Sequence, residues 1–194
     1  MQRAEDIIHK EHRNLFSVLN CLRGMARDAL AGGKPIDAAI LRQAFSYVDK
    51  FLNRYHHPKE SAHLFAALRK RRPDLGGKLD ELDGQHKGLP EKLTVVSEAL
   101  DRYEADPAGE LAAFCEVLED YCRFELGHMR MEEAEIIPAA RDSLTDEDWK
   151  AISAAFEDND DPLFGERQSS ELRDLFRALV NEMPAPHGLG NPAR

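Results

Sequence analysis

Apolar residues in this chain recur at three- and four-residue spacing, neither alternating nor forming long runs, and that rhythm predicts helices. Ile8, Leu15, Leu19, Leu22 and Met25 fall on one stripe of a first helix from about Ala4 to Ala31, which Gly32-Gly33-Lys34-Pro35 stops. A second helix begins near Ile36 with Ile40, Phe45, Val48, Phe51, Leu52 and Tyr55, meets His56-His57-Pro58, and resumes through Leu64, Phe65 and Leu68 to Arg72. Pro58 removes a backbone donor and is expected to kink this helix beside the two histidines. A third starts around Pro73-Asp74 and runs through Leu79, Leu82, Leu93, Val96 and Leu100, with Pro90 four residues after His86. Asp106-Pro107 reads as an N-cap followed by proline at the first position of a fourth helix, which carries Leu111, Phe114, Leu118, Tyr121 and Cys122 before His128 and ends near Arg141. Helix-length segments joined by short turns predict an all-α, antiparallel, up-and-down four-helix bundle over residues 1–142.

Residues 143–194 read as a C-terminal helical extension packed on that bundle. Thr145-Asp146-Glu147-Asp148 is a capping signature for a helix carrying Trp149, Ile152 and Phe156. Asp158-Asn159-Asp160-Asp161-Pro162 is a loop, Glu171–Met183 a further amphipathic helix, and the Pro- and Gly-rich tail from Pro184 to Arg194 is irregular. Strand signals and internal repeats are missing from the pattern.

Charge narrows the function classes. The 194 residues carry Lys+Arg 26 against Asp+Glu 36, a formal net charge of -10. A chain this acidic repels nucleic acid and anionic membrane surfaces. The basic run Arg69-Lys70-Arg71-Arg72 sits where a helix ends before Pro73, and the helix dipole explains it better than a phosphate site does. No stretch approaches the ~20 apolar residues of a membrane span. The first residues are charged from Arg3 on and lack an apolar run, so a cytoplasmic protein is expected. Cys21, Cys115 and Cys122 form no CxxC, and small apolar core positions suit them better than redox roles.

The candidate chemistry lies in five of the eight histidines: His12, His56, His57, His86 and His128. Each of the four helices supplies at least one. His56 is followed by Glu60, and His128 by Glu132, four residues on. Four residues of α-helix turn ~400° and rise ~6 Å, so each pair projects from one face and can reach one metal site. Imidazole suits iron, zinc and copper, and a carboxylate can bridge two cations while offsetting their charge. A single HxxxE pair arises often on solvated helix faces. Two such pairs, with histidines on the two remaining helices, point to metal binding.

Three segments carry a family resemblance: His12 within His9-Lys10-Glu11-His12-Arg13; His56-His57-Pro58-Lys59-Glu60 ahead of Leu64-Phe65; and His128-Met129-Arg130-Met131-Glu132-Glu133 ahead of Ile136-Ile137-Pro138. They resemble the hemerythrin-like HHE cation-binding domains of bacterial type, over roughly Glu5 to Arg141. The resemblance implies a hemerythrin-like bundle holding a di-iron centre, with zinc or another divalent metal as the alternative. Glu60 and Glu132 would bridge, His12 and His56 would cap one iron, and His86 and His128 the other. Oxygen-carrying hemerythrins have a second histidine four residues after the third-helix ligand, where this chain has Pro90, and their fourth-helix acid is Asp at five residues rather than Glu at four. That leaves one iron short of a ligand. His57 is either that ligand or a residue outside the coordination sphere, being ~100° from His56 on a regular helix. His63, seven after His56, either supports a bridging carboxylate or binds metal directly. Glu11 and Glu133 are solvated or back up the ligands, and His9 and His187 read as surface residues.

Two functions from different classes follow. One is a di-iron protein that binds or reacts with a small ligand such as dioxygen, peroxide or nitric oxide, turnover requiring an external electron donor. The other is an iron- or redox-responsive interaction module in which metal loading orders the bundle and the extension signals. A mononuclear or zinc-loaded structural bundle is a third. Whether the chain is an enzyme, and its oligomeric state, are left open by the sequence.

Overall fold

The computed structural model describes residues 4–32 and 35–157, and every regular element within them is helical. Helix α1 spans Ala4–Leu30 and buries Ile8, Leu15, Leu19 and Leu22, the stripe its periodicity marks. It stops at Gly32, whose φ of +86° is a left-handed conformation that L side chains rarely adopt. Helix α2 runs without interruption over 38–71, with the Asp37 carboxylate accepting from Ala39 N–H at 2.8 Å as its N-cap. A 3₁₀ turn, Pro73–Leu75, leads into α3, Gly76–Ala105. Asp106 caps α4, which covers 107–143. Helix α5, Asp146–Phe156, opens on the Thr145/Asp148 capping box. The loop, second helix and tail expected beyond Glu157 lie outside the described residues.

Prolines shape α2 and α4 in the same way. A proline withholds the N–H that would bond four residues back, and its ring crowds that carbonyl. In both helices the chain widens into π-helical winding just before the proline: Val48–His56 ahead of Pro58, and Glu132–Ile136 ahead of Pro138. The neighbouring N–H groups reach five residues back, His57 to Leu52 C=O and Ile137 to Glu132 C=O. A second wide stretch, Glu60–Phe65, follows Pro58. The disturbance expected at Pro58 is therefore local overwidening of a continuous helix. Such wide turns concentrate at functional sites. Pro90, by contrast, is exposed within an α3 that stays α-helical.

Cross-helix pairs fix an antiparallel bundle. Between α1 and α4 the partners are Arg23–Glu119, His12–Glu133 and Glu5–Arg141, one rising as the other falls. Arg42–Asp101, Ser61–His86 and Arg69–Asp80 set α2 against α3, while Lys78–Glu135 and Arg102–Glu110 set α3 against α4. The three arginines of the basic run at the end of α2 pair with acids: Arg69 with Asp80 and Asp83, Arg71 with Asp148, Arg72 with Asp74.

The core is divided in two. One cluster includes Leu19, Leu52, Leu93, Phe114 and Leu118; the other gathers Ile8, Leu64, Phe65, Leu79, Ile136 and Phe156. Cys115 and Cys122 are buried and all three cysteines are free thiols. Helix α5 closes the second cluster with Ile152 and Phe156, and Ser153 Oγ accepts from Ala4 N–H at 3.0 Å. Among the described residues the other buried polar groups are Glu11, His12, His56, His57, Glu60, Glu125, His128 and Glu132, and they belong to neither apolar cluster.

Candidate metal centre

Four helices supply this polar belt. Helix α1 brings Glu11 and His12; α2 brings His56, His57 and Glu60; α3 brings His86; α4 brings Glu125, His128, Glu132 and Glu133. The wide winding on both sides of Pro58 matters here. It leaves His56, His57 and Glu60 all buried, at 1%, 3% and 0% exposure, although two adjacent residues of a regular helix diverge by ~100°.

The ring nitrogens meet in two pairs. His12 Nε2 lies 3.2 Å from His56 Nε2, and His86 Nε2 lies 2.9 Å from His128 Nε2. Between the pairs stand two carboxylates. Glu60 is 3.6 Å from His12, 3.4 Å from His56 and 3.6 Å from His86; Glu132 is 3.4 Å from His12, 3.7 Å from His86 and 3.4 Å from His128. Each carboxylate thus reaches nitrogens of both pairs. His57 stacks on His86 at 4.4 Å between ring centroids and meets His128 edge-on at 5.3 Å. Three sets of donor atoms lie within 4.8 Å of one another: His12/His56/Glu60, Glu60/His86/His128/Glu132, and His57/His86/His128.

Behind the rings, hydrogen bonds decide which nitrogen faces inward. His12 Nδ1–H donates to Glu133 at 2.7 Å, His56 Nδ1–H to Glu11 at 2.7 Å, and His128 Nδ1–H to Gln85 Oε1 at 2.9 Å. Ser61 Oγ donates to Asp83 at 2.5 Å and so accepts from His86 Nδ1–H at 2.9 Å. With Nδ1 carrying the proton, each neutral imidazole turns its Nε2 lone pair toward the carboxylates.

This arrangement fits a bound cation. All four carboxylate oxygens of Glu60 and Glu132 are buried without a hydrogen-bond donor, and so is His57 Nδ1. A buried carboxylate left in that state costs several kcal/mol, more than the ~1.5–3 kcal/mol one buried leucine contributes. With both Nε2 atoms unprotonated, facing lone pairs about 3 Å apart repel, and a proton or a cation between them relieves this. Donors ~2.0–2.2 Å from a shared ion lie roughly 3–3.5 Å apart, which is the spacing seen. In the metal-free protein, protons do part of the ion's work. Burial lowers the His12 pKa, but Glu133, Glu60 and Glu132 outweigh it and bring it up to about 10. Burial likewise opposes the Glu60 charge, yet His56, His12 and His86 hold the carboxyl at about 2. His57 goes the other way: burial, and then the neighbouring His86, His56 and His128, keep it well below the ordinary histidine range, a neutral imidazole.

The structure therefore brings together His12, His56, His57, Glu60, His86, His128 and Glu132. It does not bring in His63, which is exposed and belongs to none of the donor sets. The expectation for His63 assumed regular α-helical spacing, and the π winding of Glu60–Phe65 turns Leu64 and Phe65 into the core instead. His9 is half-buried and donates from Nδ1 to Glu133 at 2.9 Å, so it too departs from a plain surface residue. His187 lies outside the described residues. Ser61, Asp83, Gln85, Tyr121 and Glu125 escape a reading of the sequence. Glu125 left a signal, standing three before His128 and seven before Glu132 on one helix face. Ser61 and Gln85 left none, because their roles depend on how α2, α3 and α4 align.

A family model described as the hemerythrin HHE cation binding domain matches residues 3–140. No curated protein and no solved structure matches significantly.

Proposed function

The chain belongs to the hemerythrin HHE cation-binding family, and from that premise we propose that it holds two non-haem iron ions and binds or reacts with a small ligand such as dioxygen, peroxide or nitric oxide. The supporting observation is the pair of buried carboxylates, each within 3.4–3.7 Å of histidines from both Nε2 pairs. In this reading His12 and His56 would hold one ion and His86, His128 and His57 the other, with Glu60 and Glu132 available to both. Iron supplies Fe(II)/Fe(III) redox chemistry and affinity for diatomic ligands; this chain supplies the enclosure, the bridging charge and the fixed tautomers. His57 stacks on His86, the α3 histidine whose companion in oxygen carriers is replaced here by Pro90. The set is thus richer in nitrogen beside His86 than beside His12. Turnover would draw electrons from an external donor. Recording the optical spectrum of the reduced, iron-loaded protein before and after dioxygen, peroxide or nitric oxide tests the reading; a spectrum indifferent to all three would overturn it.

The responsive-module reading has one supporting contact. Phe156 of α5 meets the His56 ring edge-on at 6.4 Å between centroids, so α5 touches a proposed ligand. Comparable protease cleavage after Phe156 with and without metal would count against it.

A further inference from the structure

Arginines among the described residues are almost all engaged by a partner. Among the described residues, Arg23, Arg42, Arg54, Arg69, Arg71, Arg72, Arg102, Arg123 and Arg141 form ion pairs, and Arg27 bonds the Arg23 carbonyl. Only Arg13 and Arg130 have guanidinium groups with neither an ion pair nor a hydrogen bond, and both line the same cleft between α1 and α4. Two helix faces form it. On α1, His9, Arg13, Phe16, Asn20 and Arg23 recur at four- and three-residue spacing, and on α4 Leu126, Met129, Arg130 and Glu133 face them.

The cleft has a volume of about 510 Å³, within the ~300–1,000 Å³ typical of small-molecule sites. Its lining is amphipathic. Leu126 and Met129 give it apolar wall, and Phe16, 55% exposed, leaves an aromatic ring open to an occupant. One end reaches the centre itself, because His12 and Glu133 are part of the wall. Glu133 accepts from both His9 and His12 there, so its carboxylate is already engaged. Arg13 and Arg130 are then the charged side chains of the cleft that lack a direct partner, in a molecule whose net charge is -10.

We infer that the α1–α4 cleft binds a small organic anion, its carboxylate or phosphate taken by Arg13 and Arg130 and its apolar body packed on Phe16, Leu126 and Met129. Guanidinium forks match such oxyanions by paired, charge-assisted hydrogen bonds. Bound there, the anion lies one side chain from His12 and acts on the centre through Glu133. That coupling rests on the proposed iron site, whereas binding to the cleft does not.

Titration calorimetry of the full chain with benzoate, phenyl phosphate and benzyl alcohol tests the inference. One equivalent of benzoate or phenyl phosphate is expected to bind, the tighter of the two identifying carboxylate or phosphate as the natural group. R13Q/R130Q should weaken that anion at least tenfold with the circular dichroism spectrum unchanged, both side chains being exposed. Phe16→Ala should weaken it by several-fold. Equal binding of benzyl alcohol, or undiminished binding by R13Q/R130Q, would overturn the inference. In the iron-loaded protein the bound anion should shift the optical spectrum, and R13Q/R130Q should abolish the shift at the same anion concentration. Binding without any spectral shift would overturn the coupling and leave the cleft site standing.

Discussion

His12 Nδ1–H donates to Glu133 across the α1–α4 interface at 2.7 Å, and this bond decides that His12 presents Nε2 to Glu60 and Glu132. Glu133 is part-exposed and contributes no atom to the donor sets, so its effect on metal is indirect. Glu133→Ala is expected to weaken metal binding about 10–100-fold, the usual loss when the partner of a ligating histidine is removed. His12→Ala should be more severe, since it deletes a ligand. Chelator competition on both variants measures the order, and equal affinity for wild type and Glu133→Ala would contradict it.

Glu60 is fully buried and approaches His12, His56 and His86. Its removal should release both ions rather than one, because each proposed ion leans on it. Glu60→Ala is therefore expected to purify with under a fifth of the wild-type metal, retaining its helical circular dichroism. Full metal content in this variant would remove Glu60 from the site.

His57 and His63 flank Glu60 but should behave oppositely. His57 is buried against His86 and His128 with Nδ1 unpartnered, whereas His63 is exposed. His57→Ala should lose about half the metal or bind its second ion at least tenfold more weakly, and His63→Ala should match wild type. Elemental analysis of the two purified variants decides between them, and identical metal content would contradict the assignment.

The contrast between these residues shows what the sequence could reveal. HxxxE spacing on α2 and α4 assumes 3.6 residues per turn, and it found His56/Glu60 and His128/Glu132 because four residues remain on one side even as the winding widens. It failed at His63, where a longer extrapolation crosses a π segment. His57 could not be decided from the sequence for the same reason: a helical wheel drawn at 100° per residue does not apply beside Pro58. The bundle itself was legible, because Gly32, Pro73 and Asp106-Pro107 punctuate amphipathic stripes long enough to be unambiguous. The supports from Ser61 and Gln85 come only from the alignment of helices, which the pattern along one chain does not contain.

Glu125 supplies a pH dependence. It is fully buried next to the centre, with Tyr121 O–H donating to Oε1 at 2.7 Å and Oε2 unpartnered. Burial raises its carboxyl from 4.5 to about 7, against the Tyr121 hydrogen bond, which lowers it. A carboxyl raised on folding binds its proton more tightly in the folded state. Its contribution to stability is fully retained below pH 4.5, falls as pH rises toward 7, and is constant above. The loss amounts to about 3 kcal/mol, at ~1.36 kcal/mol per pH unit. Glu125→Gln cannot ionise. In metal-free protein, the denaturant stability of this variant relative to wild type should therefore rise between pH 5 and pH 8; a pH-independent difference would contradict the prediction.

The central claim is that two irons share Glu60 and Glu132. Iron analysis of the full chain, purified without chelator, tests it most directly. The account predicts about two irons per chain, lost together in Glu60→Ala. A single ion per chain, or stoichiometric zinc in place of iron, would contradict it.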